Sequence, residues 1–186
     1  MVIGACHLLT EILDLTFPVV IAGGLDIGDN VVGMVEIVDN YTKCKVDPFP
    51  MRLSGAVGVN GIVCGGQSHD ILTVFSSCWH LNPSGTWTSG EDMLERRYWF
   101  SLTKVEDEVI AIGGIATSGL SLKSTEKYSL RNDVGWSRIQ YAPKFINRHC
   151  TVMLNTSYLM IIGGAGIAQV NSYQQTRYLF YTCKEY

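Results

Sequence analysis

The sequence predicts an all-β chain assembled from about four successive antiparallel sheet units, and two observations carry that expectation. Glycine doublets recur at Gly23-Gly24, Gly65-Gly66, Gly113-Gly114 and Gly163-Gly164, at spacings of 42, 48 and 50 residues. Each doublet follows a short apolar run: VVIA at 19–22, GIVC at 61–64, VIAI at 109–112 and LMII at 159–162. Short β-branched runs of this kind read as strands buried on both faces. Self-similarity at a period of roughly 20–50 residues is the mark of a repeat architecture.

Two further markers keep phase with the doublets. Position 13 or 14 after the second glycine holds Ile37, Trp79, Tyr128 and Tyr178, and eight residues beyond these stand Lys45, Trp87, Trp136 and Tyr186. Arg52, Arg97 and Arg148 precede the first glycine of their doublets by 13, 16 and 15 residues. Hairpin turns are signalled at Asn60-Gly61, at Asn82-Pro83 with Gly85, and at Glu106 to Glu108. A dinucleotide-binding fold also puts glycines after an apolar strand, but it needs a helix directly after them. The segments after these doublets carry no helical apolar stripe.

The order of arginine, apolar strand, Gly-Gly, aromatic residue and then tryptophan resembles the kelch repeat. Its fullest copy is RRYWFSLTKVEDEVIAIGGIATSGLSLKSTEKYSLRNDVGW at 96–136. The resemblance runs from about Phe17 to the last residue, with repeats at roughly 17–50, 51–93, 94–143 and 144–186 and a poorly defined segment at 1–16. It implies a kelch-type β-propeller with one four-stranded blade per repeat. The doublet would close the second strand, where two missing Cβ atoms let the chain turn and a neighbouring backbone approach. Trp79, Tyr128 and Tyr178 would lie on third strands, Trp87 and Trp136 on fourth strands, filling the space between blades. Repeat one offers Ile37 and Lys45 instead, as an atypical terminal repeat does. Propellers have about 4 to 8 blades and kelch rings mostly about six, so four doublets suggest an incomplete ring, a fragment of a six-bladed propeller. A closed four-bladed ring is the alternative.

Composition limits the function classes. The 186 residues are 47% hydrophobic and 17% charged, enough apolar content to build a core. A formal charge of −3 without a basic stripe argues against nucleic acid as a partner. No apolar run reaches the length of about 20 residues that spans a bilayer, so no membrane span is expected. The apolar N-terminal stretch is interrupted by Glu11 and Asp14 and lacks a basic start, so it reads as folded chain or as the ragged start of a fragment more than as a complete signal peptide.

The six cysteines are Cys6, Cys44, Cys64, Cys78, Cys150 and Cys183. Cys64 stands directly before a doublet, and Cys78 precedes the strand-three aromatic of the same repeat. On antiparallel neighbouring strands the two could face each other and form a disulfide; two buried thiols are the other reading. The pairing of the remaining four is left open. Kelch-like repeats of secreted proteins look similar at the Cys-Gly-Gly position, which tilts the expected compartment to extracellular, with cytoplasmic as the alternative. Acceptor patterns for N-glycosylation occur at Asn40 and Asn155.

The expected function is binding. The stretches after the doublets would be loops on one end of a rigid scaffold, where recognition residues concentrate. Asp26, Asp29, Gln67, His69, Asp70, Ser118, Gln169 and Asn171 are the polar candidates, for a protein partner of unknown identity. No catalytic residue, cofactor or metal is expected. Cys64, Cys78, His69 and His80 match no zinc spacing. The alternative is a fragment of a carbohydrate-active or galactose-oxidase-like copper enzyme. The phased arginines read as a structural set bonding between blades or to backbone carbonyls, with an anion-binding cluster as the second reading.

Overall fold

The computed structural model describes residues 19–22, 35–38, 47–68, 72–131, 134–155, 158–165, 174–175 and 178–179. Among them every regular element is a strand, and every strand pairing is antiparallel between neighbours in sequence. The first unit shows β1 (Val19–Ala22) paired with β2 (Val35–Val38), Ile37 lying opposite Val20. Two complete four-stranded meanders follow. One is β3 (Val57–Val59), β4 (Ile62–Cys64), β5 (Cys78–Leu81) and β6 (Trp87–Ser89); the other is β7 (Ser101–Val105), β8 (Glu108–Ile112), β9 (Thr125–Ser129) and β10 (Trp136–Arg138). A long hairpin of β11 (Asn147–Asn155) and β12 (Tyr158–Ala165) comes next, then a short one of β13 (Gln174–Gln175) and β14 (Tyr178–Leu179). Among the described residues the chain is all-β and antiparallel, with two four-stranded sheets, as its apolar runs and doublets predict.

Local sequence explains the turns. Asn60 and Gly61 both sit in the left-handed region, at φ 52° and 73°, joining β3 to β4 in the manner of a primed hairpin turn. Glu106, at φ 53°, turns β7 into β8. Between β5 and β6 the Gly85 N–H donates to the Asn82 carbonyl at 2.9 Å and the Asn82 N–H to Thr86 at 2.8 Å.

The apolar runs are the cores. All of β4 and four of the five residues of β8 are buried, while β12 buries Leu159 and Ile161 and leaves Met160 and Ile162 half-buried. Side chains from the two faces of β8 enter different clusters, as alternation along a strand requires. Val109 and Ala111 join Ile62, Cys64, Met93, Phe100 and Leu102 from the first meander's side, and Ile110 and Ile112 join Ile146, Leu159 and Ile161 from the following hairpin. The middle sheet is therefore covered on both faces by its sequence neighbours.

The register between units corrects two of the phasings read by counting. Cys64 pairs with Cys78 and Ile112 with Thr125, so Cys78 and Thr125 hold equivalent places and Trp79 corresponds to Glu126. Tyr128 corresponds to Leu81, each lying opposite a strand-four tryptophan, Trp136 and Trp87. The loops after the two doublets differ by one residue and the turns before the tryptophans differ by more, so a fixed count drifts off register. The arginines drift likewise. Ser54 pairs with Gln67, Tyr98 with Ile115 and Asn147 with Ala165, each one residue beyond a doublet. The residues equivalent to Arg97 are thus Leu53 and Ile146, not Arg52 and Arg148.

Candidate functional site

The doublets are the joints between units. Gly65 and Gly66 have φ 62° and 102°, Gly113 and Gly114 60° and 98°, Gly163 and Gly164 68° and 97°, the same left-handed pair three times. The first glycine closes its own sheet: Gly65 donates to the Ser77 carbonyl at 2.9 Å and Gly113 to Ser124 at 3.0 Å. The second reaches the next unit: Gly66 donates to the Arg97 carbonyl at 2.9 Å and Gly114 to the Ile146 carbonyl at 2.8 Å. A Cβ on Gly65 would lie 2.5 Å from the Arg97 oxygen, so only glycine permits this approach. Gly23 and Gly24 lie outside the described residues.

The tryptophans fasten the connections. The Trp87 Nε1–H donates to the Asp47 carbonyl and the Trp136 Nε1–H to the Glu91 carbonyl, both at 3.0 Å, and both acceptors stand six residues before the positions of Leu53 and Arg97. Trp79 packs edge-on against Phe49 in an apolar cluster that includes Leu53. Tyr128 stacks beside Trp136 at 5.5 Å, and Tyr178 lies on β14.

Arg97 is structural. It is fully buried and donates to the Gly113 and Ser124 carbonyls at 2.7 and 3.1 Å, to the Ser124 hydroxyl at 3.1 Å, and to Glu126 Oε1 at 2.5 Å. The other Glu126 oxygen accepts from the Leu94 N–H at 2.7 Å. Burial pulls the Arg97 pKa below its ordinary value, opposed by the adjacent Glu126 carboxylate. The Arg97 and Glu126 bonds all lie within one unit; the seam between the second meander and the following hairpin uses hydroxyls and a histidine, with Ser101 bonding His149 Nε2 at 2.9 Å and Thr103 bonding Thr151. Burial alone lowers the His149 pKa to about 3, so the imidazole is neutral. Both Ser101 and His149 are buried, which suits a seam and not a nucleophile awaiting a substrate.

Cys64 and Cys78 form a disulfide directly across β4 and β5, and Cys150 is also disulfide-bonded. The bridge takes up both thiols that a zinc site would need. Among the described residues no three His, Cys, Asp or Glu side chains gather as a metal-binding group, and no helix is long and apolar enough to cross a membrane.

The loops after the doublets and the connections between units share one end of the meanders. The Met93 and Arg97 N–H groups donate to Ser76 and Phe75, and the Ala142 and Ile146 N–H groups to Lys123 and Leu122, at 2.8 to 3.1 Å. Of the polar candidates, Gln67 is half-buried and exchanges backbone hydrogen bonds with Ser54 at 2.9 and 3.0 Å. Ser118 is exposed in a tight turn, where its hydroxyl accepts from the Leu120 N–H at 3.5 Å. Asp26, Asp29, His69, Asp70, Gln169 and Asn171 lie outside the described residues, as does Asn40. Asn155 ends β11 at the opposite, hairpin end.

One group on the loop-bearing end is absent from those candidates. Gly55, Trp99 and Arg148 occupy the same place in three successive units, two residues past Leu53, Arg97 and Ile146. All three are left-handed, at φ 66°, 51° and 53°. The Trp99 N–H donates to the Gly55 carbonyl at 2.9 Å and the Arg148 N–H to the Trp99 carbonyl at 2.8 Å, a ladder across the units. The Trp99 ring lies over Gly55, and the Arg148 guanidinium sits 3.7 Å above the centre of the Trp99 ring. Tyr98 flanks Trp99 at 4.9 Å. The Gly in RLSG is the only sequence signal for this site, and it becomes legible once the repeats are aligned by their first strands.

No family model matches the chain, and none of the curated proteins matches it.

Proposed function

We propose that the chain is an arc of a kelch-type β-propeller that serves as a protein-interaction module without chemistry of its own. The observation that carries this reading is the repetition of the joint. The same glycine pair, at the same two φ values, donates once within its sheet and once to the next in two successive units. Such joints stack four-stranded units side by side, as blades about an axis. They hold the variable loops together at one end of a stiff scaffold, the usual place for recognition residues. Doublet glycines, the buried arginine and strand-four tryptophans are scaffold in this reading, and the loop-bearing end is the contact surface.

The cross-strand disulfide favours an oxidising compartment, so the proposed location is extracellular, with Asn40 and Asn155 as glycan acceptors. A mass difference on deglycosylation of protein secreted from animal cells tests that part. For the binding surface, the protein is immobilised with charge substitutions at either place. Gln67→Arg and Ser118→Arg should abolish retention of a partner from the extracellular medium of its source tissue. Thr88→Arg on β6 and Ser137→Arg on β10, both exposed, should leave it intact. The opposite pattern would overturn the assignment of the loop end.

A further inference from the structure

Gly55, Trp99 and Arg148 pose a specific problem. The ladder bond at each place is made by a backbone N–H and is indifferent to the side chain. Gly55 meets the left-handed requirement without steric cost, whereas a tryptophan or arginine there is disfavoured. Unfavourable backbone at a non-glycine residue points to something its side chain does. The Trp99 ring packs closely against Gly55, and the Arg148 guanidinium sits over its face. Stacking of this kind fixes the plane of an arginine and leaves its N–H edge directed away from the ring.

Arg148 is exposed, and among the described residues no carboxylate pairs with it. Arg97 differs on every count: buried, paired with Glu126 and used up within its own unit. We propose that Arg148, stacked on Trp99, anchors an oxyanion site at the loop-bearing end, taking a carboxylate or phosphate group of a ligand on the edge of its guanidinium. A planar, pre-oriented guanidinium offers two parallel N–H donors at the spacing of two such oxygens, and Lys in its place would offer only a point charge. The site deepens the binding reading and rests on it.

The test is a titration of the full chain with sodium glutarate and, separately, with inorganic phosphate, against sodium chloride at equal ionic strength. It follows the Trp99 indole and Arg148 Nε–H resonances in 1H–15N spectra, with Trp99→Phe as the assignment control. A saturable shift with glutarate alone assigns a carboxylate ligand, with phosphate alone a phosphorylated one, and with both a general oxyanion site. Arg148→Gly should fold at least as stably as the native chain, because glycine relieves the left-handed strain, and should weaken the anion about tenfold or more. Arg148→Gln, which keeps most of the stem, should show the same loss. No saturable response to either anion, or an unchanged response in both variants, would overturn the site. A partner still held through the loops by a protein without any anion response would overturn this site and leave the binding reading standing.

Discussion

The Arg97 guanidinium and the Glu126 carboxylate, both fully buried, meet at 2.5 Å in the places that Leu53 and Trp79 take one unit earlier. The same position is thus ionic in one unit and apolar in the unit before it. Removing one partner leaves a buried charge uncompensated. Glu126→Gln should destabilise the chain by about 3–5 kcal/mol. The double variant Arg97→Leu with Glu126→Leu should cost less than that single change, since it restores an apolar pair. Urea unfolding of Arg97→Leu, Glu126→Leu and the double closes the cycle, and strictly additive losses would contradict the pairing.

His149 makes the fold acid-sensitive. Its folded pKa, lowered to about 3 by burial, lies below the value of about 6.5 of an unfolded histidine, so the unfolded chain takes up the proton first as pH falls. Stability from this group is full above pH 6.5 and declines as pH drops toward 3, by about 2 kcal/mol at pH 5. His149→Gln should flatten that limb between pH 6.5 and 4 relative to the native chain. Equal slopes in both proteins would show that other groups carry the acid response.

The Cys64–Cys78 bridge closes a sequence separation of 14 residues. The chain-entropy account gives roughly 3 kcal/mol for a loop of this size. Cys64→Ala with Cys78→Ala should therefore lower the urea midpoint, and reductant should shift the native chain further than this variant, which keeps the bridge of Cys150. A native midpoint indifferent to reductant would contradict the bridge.

Two glycines with similar backbone angles should behave differently. Gly114 has φ 98°, and a Cβ there would meet the Phe100 Cβ at 2.7 Å; Gly119 has φ 79° with nothing within 4 Å. Gly119→Ala should cost about 1 kcal/mol, the conformational penalty alone. Gly114→Ala should cost clearly more, or prevent folding, because the chain at Tyr98 and Phe100 of the same unit must also move away. Thermal unfolding of the two variants side by side decides it.

Trp136→Phe removes the indole donor to the Glu91 carbonyl while keeping an aromatic ring beside Tyr128. A loss of about 1–2 kcal/mol is expected by urea unfolding. Trp87→Phe, whose ring is half-exposed, should cost less.

What was legible in the residues is what short-range chemistry writes. Gly65-Gly66 and its copies announce the joints, Asn60-Gly61 announces a hairpin, and the run at 109–112 announces a strand covered on both faces. The disulfide pair was visible as one of two readings, because adjacency on neighbouring strands permits a bridge without requiring it. Trp79 and Tyr128 looked equivalent because each stands eight residues before a tryptophan, but the turn from Leu81 to Trp87 is two residues shorter than that from Tyr128 to Trp136, which puts Leu81 and not Trp79 in Tyr128's place.

The amino-acid order by itself determined that this chain folds as repeated antiparallel sheets, since glycine pairs and β-branched runs act over a few residues and need no distant partner. Only the tertiary structure decided which residues are equivalent. That depends on hydrogen bonds between units, such as Gly66 to Arg97 and Gly114 to Ile146, and loops of unequal length hide those partners from any count along the chain. The same bonds separate Arg97, buried against Glu126, from Arg148, stacked on Trp99 at the surface. Two arginines that look alike in sequence sit two places apart in the repeat, and the backbone ladder decides which one meets solvent.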